Sequence, residues 1–99
     1  MREDHSTEAT AEELDRVKMW FGDWEGLLKF MASIWIEDYG IVRPPVPDAP
    51  KQLWQFVTGG WSGNEEIWST FCQNPVAYSV LWESSHRGGL HILQQPEED

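Results

Sequence analysis

Two glycine-rich stretches gather the side chains able to recognise or react with another molecule. The first is Gly59-Gly60-Trp61-Ser62-Gly63-Asn64-Glu65. Set between a strand and a helix, its backbone amides can cradle an anion. It lacks the Gly-Lys-Ser/Thr ending of a P-loop and the spacing of the dinucleotide fingerprint. Glu65 and Glu66 would also repel phosphate. A tight turn followed by a helix cap accounts for each Gly, Ser and Asn here. Recognition is the sharper reading: Trp61 offers an aromatic face to a protein or a base. The second stretch is Ser84-Ser85-His86-Arg87-Gly88-Gly89. Arg87 is the only Lys or Arg after Lys51. Pairing with Glu65, Glu66 or Glu83 inside the fold is its ordinary role. Its alternative is to clamp a partner's carboxylate or phosphate. If both stretches lie at one end of a sheet, they form one surface.

The remaining reactive residues point away from catalysis. His86 and His91 straddle a turn without a standard zinc spacing, so no metal site is expected. Cys72 has no basic group placed to lower its pKa and reads as a small core residue. Ser62, Ser84 and Ser85 lack the Gly-x-Ser-x-Gly elbow of a hydrolase. Glu12-Glu13 and Glu65-Glu66 are adjacent in sequence and do not face each other across a cleft. They read as compensation for helix N-termini. Neither an enzyme nor a cofactor is expected.

Composition narrows the partner. The 99 residues carry 17 Asp and Glu against 7 Lys and Arg, a net charge of −10. Direct nucleic-acid binding needs Lys and Arg for phosphate contacts and is not expected. No apolar run is long enough to span a membrane. The opening Met1-Arg2-Glu3-Asp4-His5-Ser6 is not a signal peptide. A single cysteine excludes an internal disulfide and points to a reducing compartment. The acidity concentrates near both ends, which favours solubilising tails over imitation of a phosphate backbone.

The elements that must position the two stretches read as one α+β domain over residues 11–95, behind a disordered acidic tail at 1–10. Thr10-Ala11-Glu12-Glu13 is a capping box. After it, Leu14, Val17, Phe21, Trp24, Leu28, Met31 and Trp35 repeat at spacings of three and four. The pattern predicts one long N-terminal helix over 11–38, closed by Tyr39-Gly40. Such a helix is about 42 Å long, while a domain of this size has a radius of gyration of about 13 Å. It must therefore overhang the domain or break, at Gly22 or Gly26. Unbroken, its seam of Phe21, Trp24, Leu28 and Met31 would be a self-association surface and a route to a homodimer.

Four prolines make residues 41–50 an extended connection. Residues 53–58 predict a strand. The glycine stretch follows, and Asn64 or Ser62 can cap a second helix with Ile67, Trp68 and Phe71 on its apolar side. Asn74-Pro75 ends that helix. Val76, Tyr78, Val80 and Trp82 alternate, which favours a strand, with a further helix after Pro75 as the competing reading. Gly88-Gly89 fits a hairpin into a last strand at 90–94. The order is a long helix, then strand, helix, strand, strand. That predicts a small, mostly antiparallel sheet with helices packed on one face.

Residues Thr58 to Ile67, with Trp82-Glu83-Ser84-Ser85 and Arg87-Gly88-Gly89, resemble a family of small phage-encoded proteins of uncharacterised function. The resemblance spans about residues 53 to 95 and does not touch the helical half. It implies a phage origin and action in the bacterial host cytoplasm. Small acidic phage proteins are often similar in kind to counter-defence factors, such as anti-CRISPR proteins, which block a host complex by binding it. The expected activity is therefore inhibition of a host protein complex with a basic surface. Trp61, Ser62, Asn64, Glu65, Glu66 and Arg87 are the expected contact set. Two other readings stay open. One is binding of a nucleotide signal, with Trp61 on a base and Arg87 on a phosphate. The other is a self-assembling structural subunit built on the helical seam.

Overall fold

The computed structural model describes residues 9–36, 40–60 and 62–96. The predicted acidic tail falls largely outside them, as do Tyr39 of the expected helix stop and Trp61 of the expected contact set. The elements are α1 (Ala11–Met19), α2 (Trp24–Ile34), β1 (Ile41–Arg43), β2 (Leu53–Val57), α3 (Ser62–Cys72), α4 (Pro75–Leu81), β3 (Trp82–His86) and β4 (Leu90–Gln94). All neighbouring strands pair antiparallel, in the order β1-β2-β4-β3. The class is α+β, as the pattern predicts. No described helix is long and apolar enough to cross a membrane.

The single long helix is not formed. Thr10 starts α1 with the expected reciprocal capping box. The helix then stops at Met19, and the break falls at Gly22, which has φ 78°. Asp23 caps α2 by accepting from the Gly26 amide at 3.2 Å. The Trp20 indole donates to Gly22 O at 2.9 Å and holds the corner. Asn74, far along the chain, donates to the freed carbonyls of Val17 and Trp20 at 3.0 and 2.8 Å. These bonds supply the partners that a helix end otherwise lacks. Gly26 is not a break point. It sits within α2 under the Asp23 carboxylate, where a β-carbon would collide. The fold measures 36 Å along its longest axis, shorter than the unbroken helix would be.

Breaking the helix changes which residues face inward. Leu28 and Met31 are fully buried in the chain's own core, so they are not available for self-association. Phe21 stands 80% exposed on the corner, and Trp24 is half-buried against the core edge. Trp20 takes the inward place, stacking on Phe30 with centroids 5.6 Å apart. The Arg16 guanidinium lies 4.2 Å from the Phe30 ring centre. On the solvent side of α2, Glu25 and Lys29 pair at 2.8 Å.

Two further expectations are corrected. Residues 76–81 form α4, not a strand. Asn74 accepts from Ala77 N at 3.1 Å, and Pro75 fits the first helical turn. The apparent alternation is a helix that buries Ala77 and Leu81 and leaves Val76 and Val80 exposed. The proline-rich connection contributes the edge strand β1 through its first residues. The sheet therefore has four strands, where three are expected. Trp54, Phe56 and Leu93 on its inner face join Trp35, Ile67, Phe71 and Leu81 in the core.

Candidate functional site

The two glycine-rich stretches meet at one end of the sheet, and Thr58 is the joint between them. Thr58 follows β2 and is buried. Its amide donates to Gly89 O at 3.0 Å, tying the β2–α3 loop to the β3–β4 turn. Its hydroxyl accepts from Gly60 N at 3.4 Å. Gly89 has φ 78°, and a β-carbon there would run into the Thr58 hydroxyl. Glycine is required at this position both for backbone conformation and for space.

Asn64 fastens the first turn of α3 to the same joint. Its side chain donates to Thr58 O at 3.2 Å and to Ile36 O at 3.1 Å, and it accepts from Ile36 N at 2.8 Å. It is fully buried. Asn64 is thus neither a contact residue nor the cap of α3. Its amide is consumed in joining three segments of backbone. Gly40 packs against the same group, and Trp35 donates its indole N–H to Val57 O at 2.9 Å.

Around this joint the other expected contact residues reach solvent. Ser62, Glu65 and Glu66 are exposed on the first turns of α3, and Arg87 is exposed on the hairpin turn. Among the described residues, Arg87 makes no ion pair, so its expected pairing with Glu65, Glu66 or Glu83 is not formed. The rim therefore presents two carboxylates and one guanidinium without internal charge partners. Trp61 is outside the described residues.

A second polar group lies beside the rim. Ser85 Oγ stands 2.8 Å from His91 Nδ1 and accepts from the Trp82 indole N–H at 3.0 Å. With His91 neutral and protonated at Nε2, the Ser85 hydroxyl donates to Nδ1. The imidazole stacks on Trp68, with centroids 3.8 Å apart and planes 12° from parallel. Its partial burial pushes the His91 pKa below the usual 6.5. Tyr78 stacks on Trp82 at 5.3 Å, extending the aromatic row. On the opposite sheet face, Ser84 Oγ and His86 Nε2 are 2.9 Å apart.

Sequence reasoning about elbows and zinc spacings missed the Ser85–His91 pair. The usable signal was symmetry about the turn, since Ser85 and His91 lie at equal distances from Gly88 and face each other across the hairpin. A serine beside an imidazole is two parts of a nucleophilic triad. No carboxylate among the described residues bonds to His91, and the Trp82 N–H draws on the Ser85 oxygen. Among the described residues, these contacts orient the two side chains. Cys72 is on the surface, not in the core as expected. Partial burial of its thiol pushes its pKa up, away from a reactive thiolate. Among the described residues, no group of three or more His, Cys, Asp or Glu is placed to hold a metal ion.

No protein-family model matches the chain, and no curated protein or solved structure is significantly similar to it.

Proposed function

We propose that this chain is a non-enzymatic docking protein, acting through the rim where the β2–α3 loop meets the β3–β4 turn. The observation that carries the reading is the Thr58–Gly89 joint, with unpaired Arg87 on one side and exposed Ser62, Glu65 and Glu66 on the other. Charged side chains on a fixed backbone suit recognition, because little order has to be gained on binding. The net charge of −10 favours a partner with a basic surface and speeds its capture. The resemblance to small phage proteins points to a host protein complex as that partner. Inhibition by occupation, in the manner of an anti-CRISPR factor in the bacterial cytoplasm, is the activity proposed.

The test is capture from a bacterial lysate followed by titration of the purified partner. Glu65→Lys with Glu66→Lys, and separately Arg87→Ala, should each weaken the captured complex at least tenfold. Raising salt should weaken it as well. Binding that survives both the substitutions and high salt would remove the rim from the interface.

A further inference from the structure

The connection from β1 to β2 holds four prolines and belongs neither to the core nor to the rim. β1 runs antiparallel to β2, with Ile41 opposite Val57 and Arg43 opposite Gln55. The proline segment therefore leaves the sheet at the end away from Thr58. Its own covalent structure restrains it. Proline sets its φ near about −65°, and a residue that precedes proline is held extended. Arg43, Pro44 and Val46 each precede a proline. The stretch from Arg43 to Val46 thus favours polyproline II, and β1 delivers it already extended. The Ala49 amide then donates to Val46 O at 3.1 Å and closes a turn with Pro47 at its second position. The Gln52 side chain donates to Val46 O at 3.1 Å and to Ala49 O at 3.0 Å, clamping the segment to the start of β2.

Polyproline II has three residues per turn, so positions three apart share a ridge. Pro44 and Pro47 form one ridge, Arg43 and Val46 the next, and Pro45 lies on the third. Burial follows that period. Pro45 is half-buried against the fold, while Arg43, Pro44, Val46 and Pro47 are exposed, Val46 to 68%. The outer side is therefore two X-Pro pairs, Arg43-Pro44 and Val46-Pro47. The Arg43 guanidinium donates to Gln55 Oε1 at 3.2 Å, which anchors it at the head of the segment. Extended X-Pro pairs of this kind are what aromatic-lined grooves recognise. The prolines have no N–H to give to a neighbouring strand, which sets sheet extension aside. Arg43 and Lys51 against Asp48 make the segment locally positive in a chain of net charge −10.

We infer that residues 43–47 are a preformed ligand for the aromatic-lined groove of a second protein, one with an acidic side chain beside the groove to meet Arg43. Pro44 and Pro47 enter the groove, with Arg43 and Val46 beside them. The prolines and the Gln52 clamp order the segment before contact, so little freedom is lost on docking. This surface is separate from the docking rim, and neither requires the other.

Titration of the isotope-labelled full chain with a panel of SH3 and WW domains, whose grooves are lined with aromatic rings, tests this by amide shifts. The panel spans acidic and neutral groove rims. Saturable binding by at least one domain, with a dissociation constant of about 1 mM or tighter, is expected. The shifts should centre on Arg43, Val46 and Asp48, and this mapping needs no substitution. Acidic-rimmed domains should bind tightest, and Arg43→Gln should weaken them severalfold. Pro44→Ala with Pro47→Ala should weaken binding roughly tenfold or more, while the urea midpoint reports that the fold is kept. Gln52→Ala leaves the groove contacts in place but frees the segment, and should weaken binding about threefold. Phe21→Ser, at the α1–α2 corner, should leave it unchanged. No binding by any domain of the panel overturns the inference. So does binding whose shifts fall on the rim, or that survives the double proline substitution. Full affinity in Gln52→Ala overturns the preformed character of the ligand.

Discussion

The side-chain amide of Asn64 pairs with both backbone groups of Ile36, 28 residues away, accepting from its N–H and donating to its C=O. A third bond, to Thr58 O, brings the end of β2 into the same junction. All of this is buried. Asn64→Ala leaves those backbone groups without partners and should cost about 3 kcal/mol. Asn64→Asp keeps the acceptor, replaces the donors with a buried charge, and should be at least as damaging. Urea unfolding of the two variants measures this. A partner-contact residue would instead change affinity and leave the unfolding midpoint in place.

The hairpin turn offers a paired comparison. Gly88 and Gly89 both have positive φ, at 86° and 78°. A β-carbon on Gly88 meets nothing within 4 Å, while one on Gly89 meets the Thr58 hydroxyl. Gly88→Ala should cost about 1 kcal/mol, the backbone penalty alone. Gly89→Ala adds a collision at the joint and should cost roughly 2–3 kcal/mol. It should also shift the amide resonance of Thr58. Equal losses at the two positions would mean that the contact between loops carries no energy.

The fold class, the capping box and the hairpin glycines are legible in the residues, because each depends on local chemistry; that the two glycine stretches meet is not, because the Thr58–Gly89 bond joins residues distant in sequence. The helix break was half legible. Gly22 marked the place, but Trp20, Asp23 and Asn74 complete the corner, and Asn74 acts across 54 residues. No local pattern announces such a bond. At 76–81 the alternation points to a strand, but Asn74-Pro75, which ends α3, also supplies the cap and first turn of α4. Asn64 was misread for a similar reason. Its type favours caps and turns, and only the tertiary fold shows that its partners lie on Ile36 and Thr58. Arg87 went the other way: an internal pair was expected, and the turn carries it clear of the carboxylates.

Phe21 and Leu28 occupy equivalent places in the sequence seam, yet one is 80% exposed and the other fully buried. The break between α1 and α2 separates them energetically. Phe21→Ser should leave stability within about 0.5 kcal/mol of wild type, while Leu28→Ala should cost about 3 kcal/mol. Thermal and urea unfolding give both values. Matching losses would restore a continuous helix with one uniform apolar stripe.

His91 links the protein's stability to pH. Burial against Trp68 pushes its folded pKa below the ordinary 6.5, so the folded state prefers the neutral ring. The unfolded chain then binds more protons than the folded one as pH falls below 6.5. Stability from this group is complete above that value and declines as pH drops toward the folded pKa. Protonation also reverses the hydrogen bond to Ser85. Nδ1–H must then donate to an oxygen that already accepts from Trp82, and the hydroxyl hydrogen must turn away. His91→Gln should flatten the stability profile between about pH 5 and pH 7, above the range where carboxylates titrate. His86, exposed on the other face, serves as the control, since His86→Gln leaves the His91 environment in place. Denaturant midpoints across that range, with the ring resonances of His91 followed by NMR, supply the measurement. An imidazole titrating above 6.5 would reverse the slope and show that the stack on Trp68 stabilises the charged ring.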